Sequence, residues 1–261
     1  MESQVDYWTA KALLEWQIEM GADEAILDAP LDRYALAEMK KAEAPVTPKK
    51  SGPPPIPVQV EIDTAAEARA AAMPVGSLDD LSEKLAGFEH FEIKRGARSY
   101  LFAEGPPEAR VMVIGDPPRR DDDREGRYLS GQMGGFVDRM FGAIGLSRTT
   151  PDMMNALYLV PILPWCTPMD RAPNAAESAM ALPFLEAHIA LAKPEVVVVM
   201  GSSASSILLG QTAVARIRGQ WAEVAGVPAM PMYSPERIMS DAMFKREAWA
   251  DLLAIKARLD R

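Results

Sequence analysis

The stretch Val111-Met112-Val113-Ile114-Gly115-Asp116-Pro117-Pro118 decides the fold. Four apolar residues break at a glycine and two prolines. A charge-dense segment, Arg119 to Gly131, comes next, and then a run with helical apolar spacing from Gly134 to Ile144. An apolar strand, a sharp turn and an amphipathic helix make the repeating unit of an α/β protein. The same pattern recurs downstream. Strands are expected at Leu157–Leu163, Val196–Met200 and Ala229–Tyr233, and helices at Ala175–Ala192, Ser203–Leu209 and Met243–Leu259. Trp249, Leu252, Leu253 and Ile255 are expected to face inward. Strands this apolar are buried on both faces. The expected architecture is a three-layer α/β sandwich with a mainly parallel four-stranded central sheet flanked by helices, plus an N-terminal helical extension.

Upstream, Trp8, Leu13, Leu14, Trp16 and Ile18 suit an amphipathic helix over Tyr7–Met20 that ends at Gly21. Six prolines fall between Pro45 and Pro57, which excludes regular structure there. Asp63–Ala72, capped by Thr64 or Asp63, and Ser77–Leu85, capped by Ser77, read as short helices. The expected organisation is an acidic helical extension over 1–41, a Pro-rich linker over 42–60 and an α/β domain over 61–261.

Charge divides along these lines. The whole chain of 261 residues carries a formal net charge of −9. Residues 1–80 hold 15 acidic and 7 basic side chains, whereas residues 81–261 hold 22 and 21, so the acidity is concentrated in the first eighty residues. The near-neutral remainder can still present a local basic face. The acidic N-terminal helix is a candidate for docking a protein partner. No apolar run approaches the ~18 residues of a membrane span, and the N-terminus lacks a basic leader. A cytoplasmic location is expected, with no membrane partner.

Cys166 is the only cysteine, and His90 and His188 are the only histidines. Thiolate-built clusters and His-rich metal sites are therefore not expected. Three segments at expected strand ends could carry chemistry. Gly201-Ser202-Ser203 opens a helix and reads either as a nucleophile or phosphate cradle or as a serine-capped helix. Asp121-Asp122-Asp123 with Glu125 reads as an oxygen-ligand cation site, a solvated loop, or, through Arg119, Arg120, Arg124 and Arg127, an arginine-bearing loop over a phosphate backbone. Ser234-Pro235-Glu236-Arg237 reads as a phosphate or base contact or as a capped turn.

In this order the segments resemble the uracil-DNA glycosylase superfamily, specifically its family-4-like bacterial members. Gly115-Asp116-Pro117-Pro118-Arg119 resembles the first motif, GEAPG. Gly126-Arg127-Tyr128-Leu129-Ser130-Gly131 is similar to GRPFVG, and Phe136 to Leu146 to the helix that follows it. Pro164-Trp165 with Arg171-Ala172-Pro173, and Lys245 to Leu253, are similar to later segments. The resemblance implies an α/β base-excision fold in which an aromatic ring stacks on a flipped base, an amide reads its edge and a histidine stabilises the leaving base.

At those positions this chain has Leu129, with Tyr128 adjacent, then Pro161 and then Ser234. Asp116 replaces the motif's glutamate and Arg119 its last glycine. The cysteine positions of the family's iron–sulfur cluster fall near Phe91, Trp165 and Ala181. The resemblance thus implies catalytic positions at Asp116 and Ser234, and a base pocket at Gly115, Pro117, Pro118, Tyr128, Leu129 and Pro161. A weak, salt-sensitive DNA surface is expected at Arg119, Arg120, Arg171, Arg237 and Lys245, with no metal or cofactor. Two readings stay open: a protein of this fold, DNA-repair-related or nucleic-acid-binding, whose eroded pocket lacks ordinary uracil excision, and an active glycosylase with a rebuilt pocket. An unrelated small-molecule enzyme on this fold is a third.

Overall fold

The computed structural model describes residues 7–20, 63–73 and 75–260. The expected linker and most of the extension lie outside the described residues. The chain divides into two compact units, Met1–Val60 and Glu61–Arg261. In the first, helix α1 spans Tyr7–Glu19. Its large apolar side chains, Trp8, Leu13, Leu14, Trp16 and Ile18 among them, are all exposed. At 100° per residue they scatter around the helix rather than forming one stripe.

The second unit is the α/β body. Helices α2 (Thr64–Ala72) and α3 (Leu78–Gly87) begin where the caps predict: Asp63 accepts from Ala66 N at 3.0 Å and Ser77 from Asp80 N at 3.1 Å. Strand β1 (Val111–Gly115) leads into α4 (Arg120–Glu125) and α5 (Gly131–Gly142). Strand β2 (Leu157–Pro161), α6 (Ala175–Ala192), β3 (Val196–Met200) and α7 (Ser202–Leu209) follow. The chain then forms α8 (Val214–Ile217), β4 (Ala222–Val224), β5 (Val227–Met232), α9 (Pro235–Ser240) and α10 (Ala242–Leu259).

The sheet has five strands in the order β2-β1-β3-β5-β4, not the four expected. Four are parallel, and β4 pairs antiparallel with β5 through Ala222↔Ala229 and Val224↔Val227. Three residues with one buried side chain give β4 too little apolar pattern to stand out in sequence. The segment at Arg120–Glu125 is helical rather than a loop, held at its start by Asp122 Oδ2 accepting from Arg119 N at 3.1 Å.

Each parallel strand sends alternate side chains to two cores. Met112, Ile114, Tyr158, Val160, Val197 and Val199 join one cluster with α2, α3 and α6. Val111, Val113, Leu157, Leu159, Val196, Val198 and Met200 join the other with α5 and α10. The inward face of α10 is Phe244, Ala248, Asp251, Leu252 and Ile255. Trp249 and Leu253 instead stay exposed, at 43% and 45%. Phe244 and Ala248 lie on the same stripe as Leu252 and Ile255, which turns Trp249 and Leu253 away from the sheet.

His188 on α6 is part of the core. Its ring stacks on Phe102 at 4.5 Å and its Nε2 pairs with Tyr158 Oη at 2.9 Å. Burial lowers its pKa to about 3. The unfolded chain therefore binds a proton at His188 below about pH 6.5 that the folded chain refuses. This contribution to stability is intact above pH 6.5 and is lost as pH falls toward 3. Urea unfolding of the wild type and His188→Phe should show a fall in stability from pH 7 to pH 5 that is smaller in the variant by about 2 kcal/mol.

Candidate functional site

The sheet order places a crossover at β1. The chain leaves β1 for β2 on one side and returns to β3 on the other. In open α/β sheets, ligands collect beyond the strand ends at such a point. Asp116 follows β1 here, and its carboxylate reaches across to the start of α7. Oδ1 accepts from Ser203 N at 3.0 Å and from Ala204 N at 3.1 Å. Gly201 between β3 and α7 has φ 107°, and a Cβ there would collide with the Asp116 carboxylate. Glycine is thus needed both for the turn and for the close approach.

Burial pushes the Asp116 carboxyl up to about 6, and the nearby Glu236 charge adds to this; the two backbone N–H groups pull the other way. Desolvation wins because the carboxylate sits mostly away from water.

Around Asp116 opens a cleft of ≈ 320 Å³, whose walls include Pro117, Pro118, Arg119, Arg171, Ser203 and Ser234. A second hollow of ≈ 450 Å³ shares Arg119 and Asp170 with it and extends to Arg120 and Gln132. The cations in this region have carboxylate partners close by. Arg119 Nη1 donates to Glu236 Oε1 at 2.8 Å, bridging the β1 turn to α9. Arg171 forms a bidentate pair with Glu177 at 2.6 and 2.7 Å. Arg120 contributes its backbone N–H, not its guanidinium, donating to Asp170 Oδ1 at 3.1 Å.

The structure brings Asp116, Pro117, Pro118, Arg119, Arg171 and Ser234 together on one cleft and Arg120 beside it. It places the other candidate residues elsewhere. Tyr128 is buried, with its Oη donating to Asp116 O at 2.8 Å. A Cβ on Gly115 would lie 2.5 Å from that Oη, so the phenol occupies the space over the glycine. Burial, then the charges of Asp116 and Asp122, hold the phenol well above its ordinary pKa. Leu129 is buried beside it with φ 48°. Pro161 ends β2 and lines a separate apolar void. Ser234 Oγ accepts from Arg237 N at 3.4 Å and caps α9. Arg237 stands over the Phe244 ring at 4.0 Å, and Lys245 lines a groove between α5 and α10.

Several contributors carry no local sequence signal. Arg148 is buried and donates to Tyr128 O at 2.9 Å and Leu129 O at 3.0 Å, fixing the turn that holds both side chains. Asp122 accepts from Ser130 N and Oγ, each at 2.7 Å. Asp123 accepts from Arg98 N and Ser99 N. Those two carboxylates of the acidic run tie loops together, and among the described residues no cluster of His, Cys, Asp and Glu is arranged to hold a metal ion.

The positions of the family's cluster cysteines form an apolar contact. Phe91 and Trp165 pack at 5.4 Å, Ala181 is buried near them, and the void Phe91 and Ala181 help line measures ≈ 10 Å³. Cys166 lies apart, its Sγ near Thr167 O and Asp170 Oδ1. These residues do not fit an iron–sulfur cluster, which needs several thiolates and open volume.

The model of the uracil DNA glycosylase superfamily matches residues 102–253. The chain belongs to this superfamily. It is 23% identical over 188 residues to the type-4 uracil-DNA glycosylase of Archaeoglobus fulgidus, covering 69% of this chain and 92% of that protein. It is 24% identical over 144 residues to the type-4 uracil-DNA glycosylase of Thermotoga maritima, covering 53% of this chain and 71% of that protein. A DNA polymerase of Bacillus phage SP01 is 22% identical over 157 residues, 60% of this chain and 16% of that protein. The superfamily match spans β1 through most of α10, and so contains the whole cleft. Among the described residues, no helix is long and apolar enough to cross a membrane.

The raised pKa of Asp116 has a consequence for stability. The folded chain holds the proton more tightly than the unfolded chain, so this carboxyl favours folding at low pH, and its contribution falls as pH rises from about 4 to about 6. Asn keeps the Oδ1 acceptor without the buried charge. Asp116→Asn should therefore be more stable than wild type at pH 7, by about 1 kcal/mol, with the gap closing below pH 4. Paired denaturant titrations at the two pH values check this. A variant less stable at pH 7 contradicts it.

Proposed function

We propose that this chain is a superfamily member with an eroded base pocket, DNA-repair-related or nucleic-acid-binding, that does not carry out ordinary uracil excision. The observation that carries the reading is the position of Tyr128. Its phenol packs over Gly115 and is tethered to Asp116 O, so it offers no free ring face in the cleft. Pro161, at the edge-reading position, has neither an amide side chain nor a backbone donor, and it lines a separate apolar void and not the cleft. Ser234 caps α9 where an imidazole would stabilise a departing base anion. Loss of one preorganised electrostatic group costs roughly 10²–10³ in rate, and here the stacking, reading and leaving-group positions have all changed.

The cleft surface also suits weak DNA binding. Arg119 and Arg171 are both paired with carboxylates, so a phosphate competes with Glu236 or Glu177 for the guanidinium. Binding there is expected to be weak and strongly salt-dependent. With aromatic packing at the thiolate positions, the chain holds no iron–sulfur cluster on this reading.

One observation favours a second reading. Asp116 titrates near 6 at a cleft large enough for a base, which suits a carboxylate that positions and deprotonates water. A glycosylase acting on another deaminated or damaged base would use it so, hydrolysing the N-glycosidic bond.

Uracil-containing single- and double-stranded oligonucleotides are expected to show no measurable base release under conditions where a type-4 enzyme works. Robust release that Asp116→Ala abolishes overturns the first reading. Release confined to another base lesion, again dependent on Asp116, establishes the second. Elemental analysis of anaerobically purified protein should find no stoichiometric iron, and iron with visible charge-transfer absorbance would contradict the packing argument.

A further inference from the structure

A second feature of the α/β unit lies on α5, α9 and α10, outside the cleft. A groove of ≈ 240 Å³ opens between α5 and α10, walled by Phe136, Met140, Trp249 and Leu252, with Arg139 and Lys245 on its rim. Trp249 is 43% exposed although it lines this apolar wall. Helix α9 separates groove from cleft: Ile238 lines the groove, whereas Glu236 and Met239 line the cleft side.

The charge here is one-sided for a traceable reason. Every carboxylate on the three helices has a partner. Asp138 pairs with Arg148 at 2.9 Å, Glu236 with Arg119 at 2.8 Å, and Asp251 and Glu247 with Arg218. Asp241, which caps α10, accepts from Met243 N at 2.7 Å. Arg139 and Lys245, by contrast, make no side-chain hydrogen bond or ion pair among the described residues, and Arg237 rests only on the Phe244 ring at 4.0 Å. The groove therefore joins exposed aromatic and apolar surface to cations that retain their hydrogen-bonding capacity.

We infer that the α5–α10 groove is a binding site for single-stranded nucleic acid, which takes one base against Trp249 and Phe136 and the flanking phosphates on Arg139 and Lys245. Base–aromatic stacking with adjacent cations is how such strands are held without sequence reading. Arg237, flat on Phe244, extends the cationic track toward α9 and the cleft. An acidic helix would be the other anionic occupant. A helix needs only apolar bulk from its groove, whereas the half-exposed Trp249 ring beside two unpaired cations suits a stacked base. The inference is independent of whether the cleft excises any base, because it concerns different side chains and a different readout.

The test is fluorescence anisotropy of a labelled oligothymidylate on the full chain, across a salt series. The variants are Trp249→Phe, Trp249→Leu and the double reversal Arg139→Glu/Lys245→Glu, each checked by thermal melting. Trp249→Leu should weaken binding about tenfold while Trp249→Phe retains most of it, because a ring is needed and apolar bulk alone is not enough. The double reversal should weaken binding further and flatten the dependence of log K on log salt by about 0.7 for each phosphate left without its cation. Binding unaffected by Trp249→Leu and by the double reversal overturns the assignment. So does an acidic, leucine-bearing peptide that binds wild type and Trp249→Leu alike while the oligonucleotide does not bind.

Discussion

The hydrogen bonds from Ser203 N and Ala204 N to the Asp116 carboxylate hold the candidate site together. They join the end of β1 to the start of α7 across the crossover point of the sheet. The N-terminus of α7 would otherwise present free donors to an anion. Asp116 supplies that anion from within the chain. The contact requires Gly201, fixes the turn through Pro117 and Pro118, and leaves Asp116 O to receive the Tyr128 hydroxyl. Tyr128 in turn depends on the turn that Arg148 clamps through the carbonyls of residues 128 and 129. From these few polar contacts the architecture of the cleft follows.

On the proposed reading, that arrangement lets the chain keep its superfamily's frame while its chemistry departs from it. The frame is set by apolar strands and by their crossover, which many side chains satisfy. Stacking, edge reading and leaving-group stabilisation each need one residue type at one place, and the family resemblance puts those places at Leu129 beside the buried Tyr128, at Pro161 and at Ser234. Packing accommodates each substitution. Tyr128 enters the core, Pro161 ends a strand beside an apolar void, and Ser234 becomes a helix cap. The cluster positions follow the same course, with Phe91 and Trp165 in ring contact. Asp116 remains the carboxylate with both access to the cleft and a raised pKa.

Much of the frame was legible in the sequence. Val196–Met200 and Ala175–Ala192 have the bounds that their apolar runs and flanking residues indicate, and Asp63, Ser77 and Ser234 act as the caps their residue types suggest. Short elements were not legible. The three residues of β4 and the charged six-residue α4 are stabilised by neighbours and caps rather than by any periodic pattern. Apolar residues on two faces of α10 hid the outward turn of Trp249. At the site, the ion pairs were invisible for a simple reason. Glu236 reaches Arg119 only once β1 and α9 have been placed side by side by the sheet, and no spacing in the chain announces that contact.

If the proposed function holds, the strand-end cleft keeps the superfamily's position but not its uracil pocket. Titrating free uracil into isotopically labelled protein and following backbone amide shifts by NMR tests this most directly. No saturable shifts are expected at Gly115, Tyr128 or Leu129 or at the neighbouring Ile162. Saturable shifts clustered at those residues would mean that Tyr128 yields to the base and would contradict the claim.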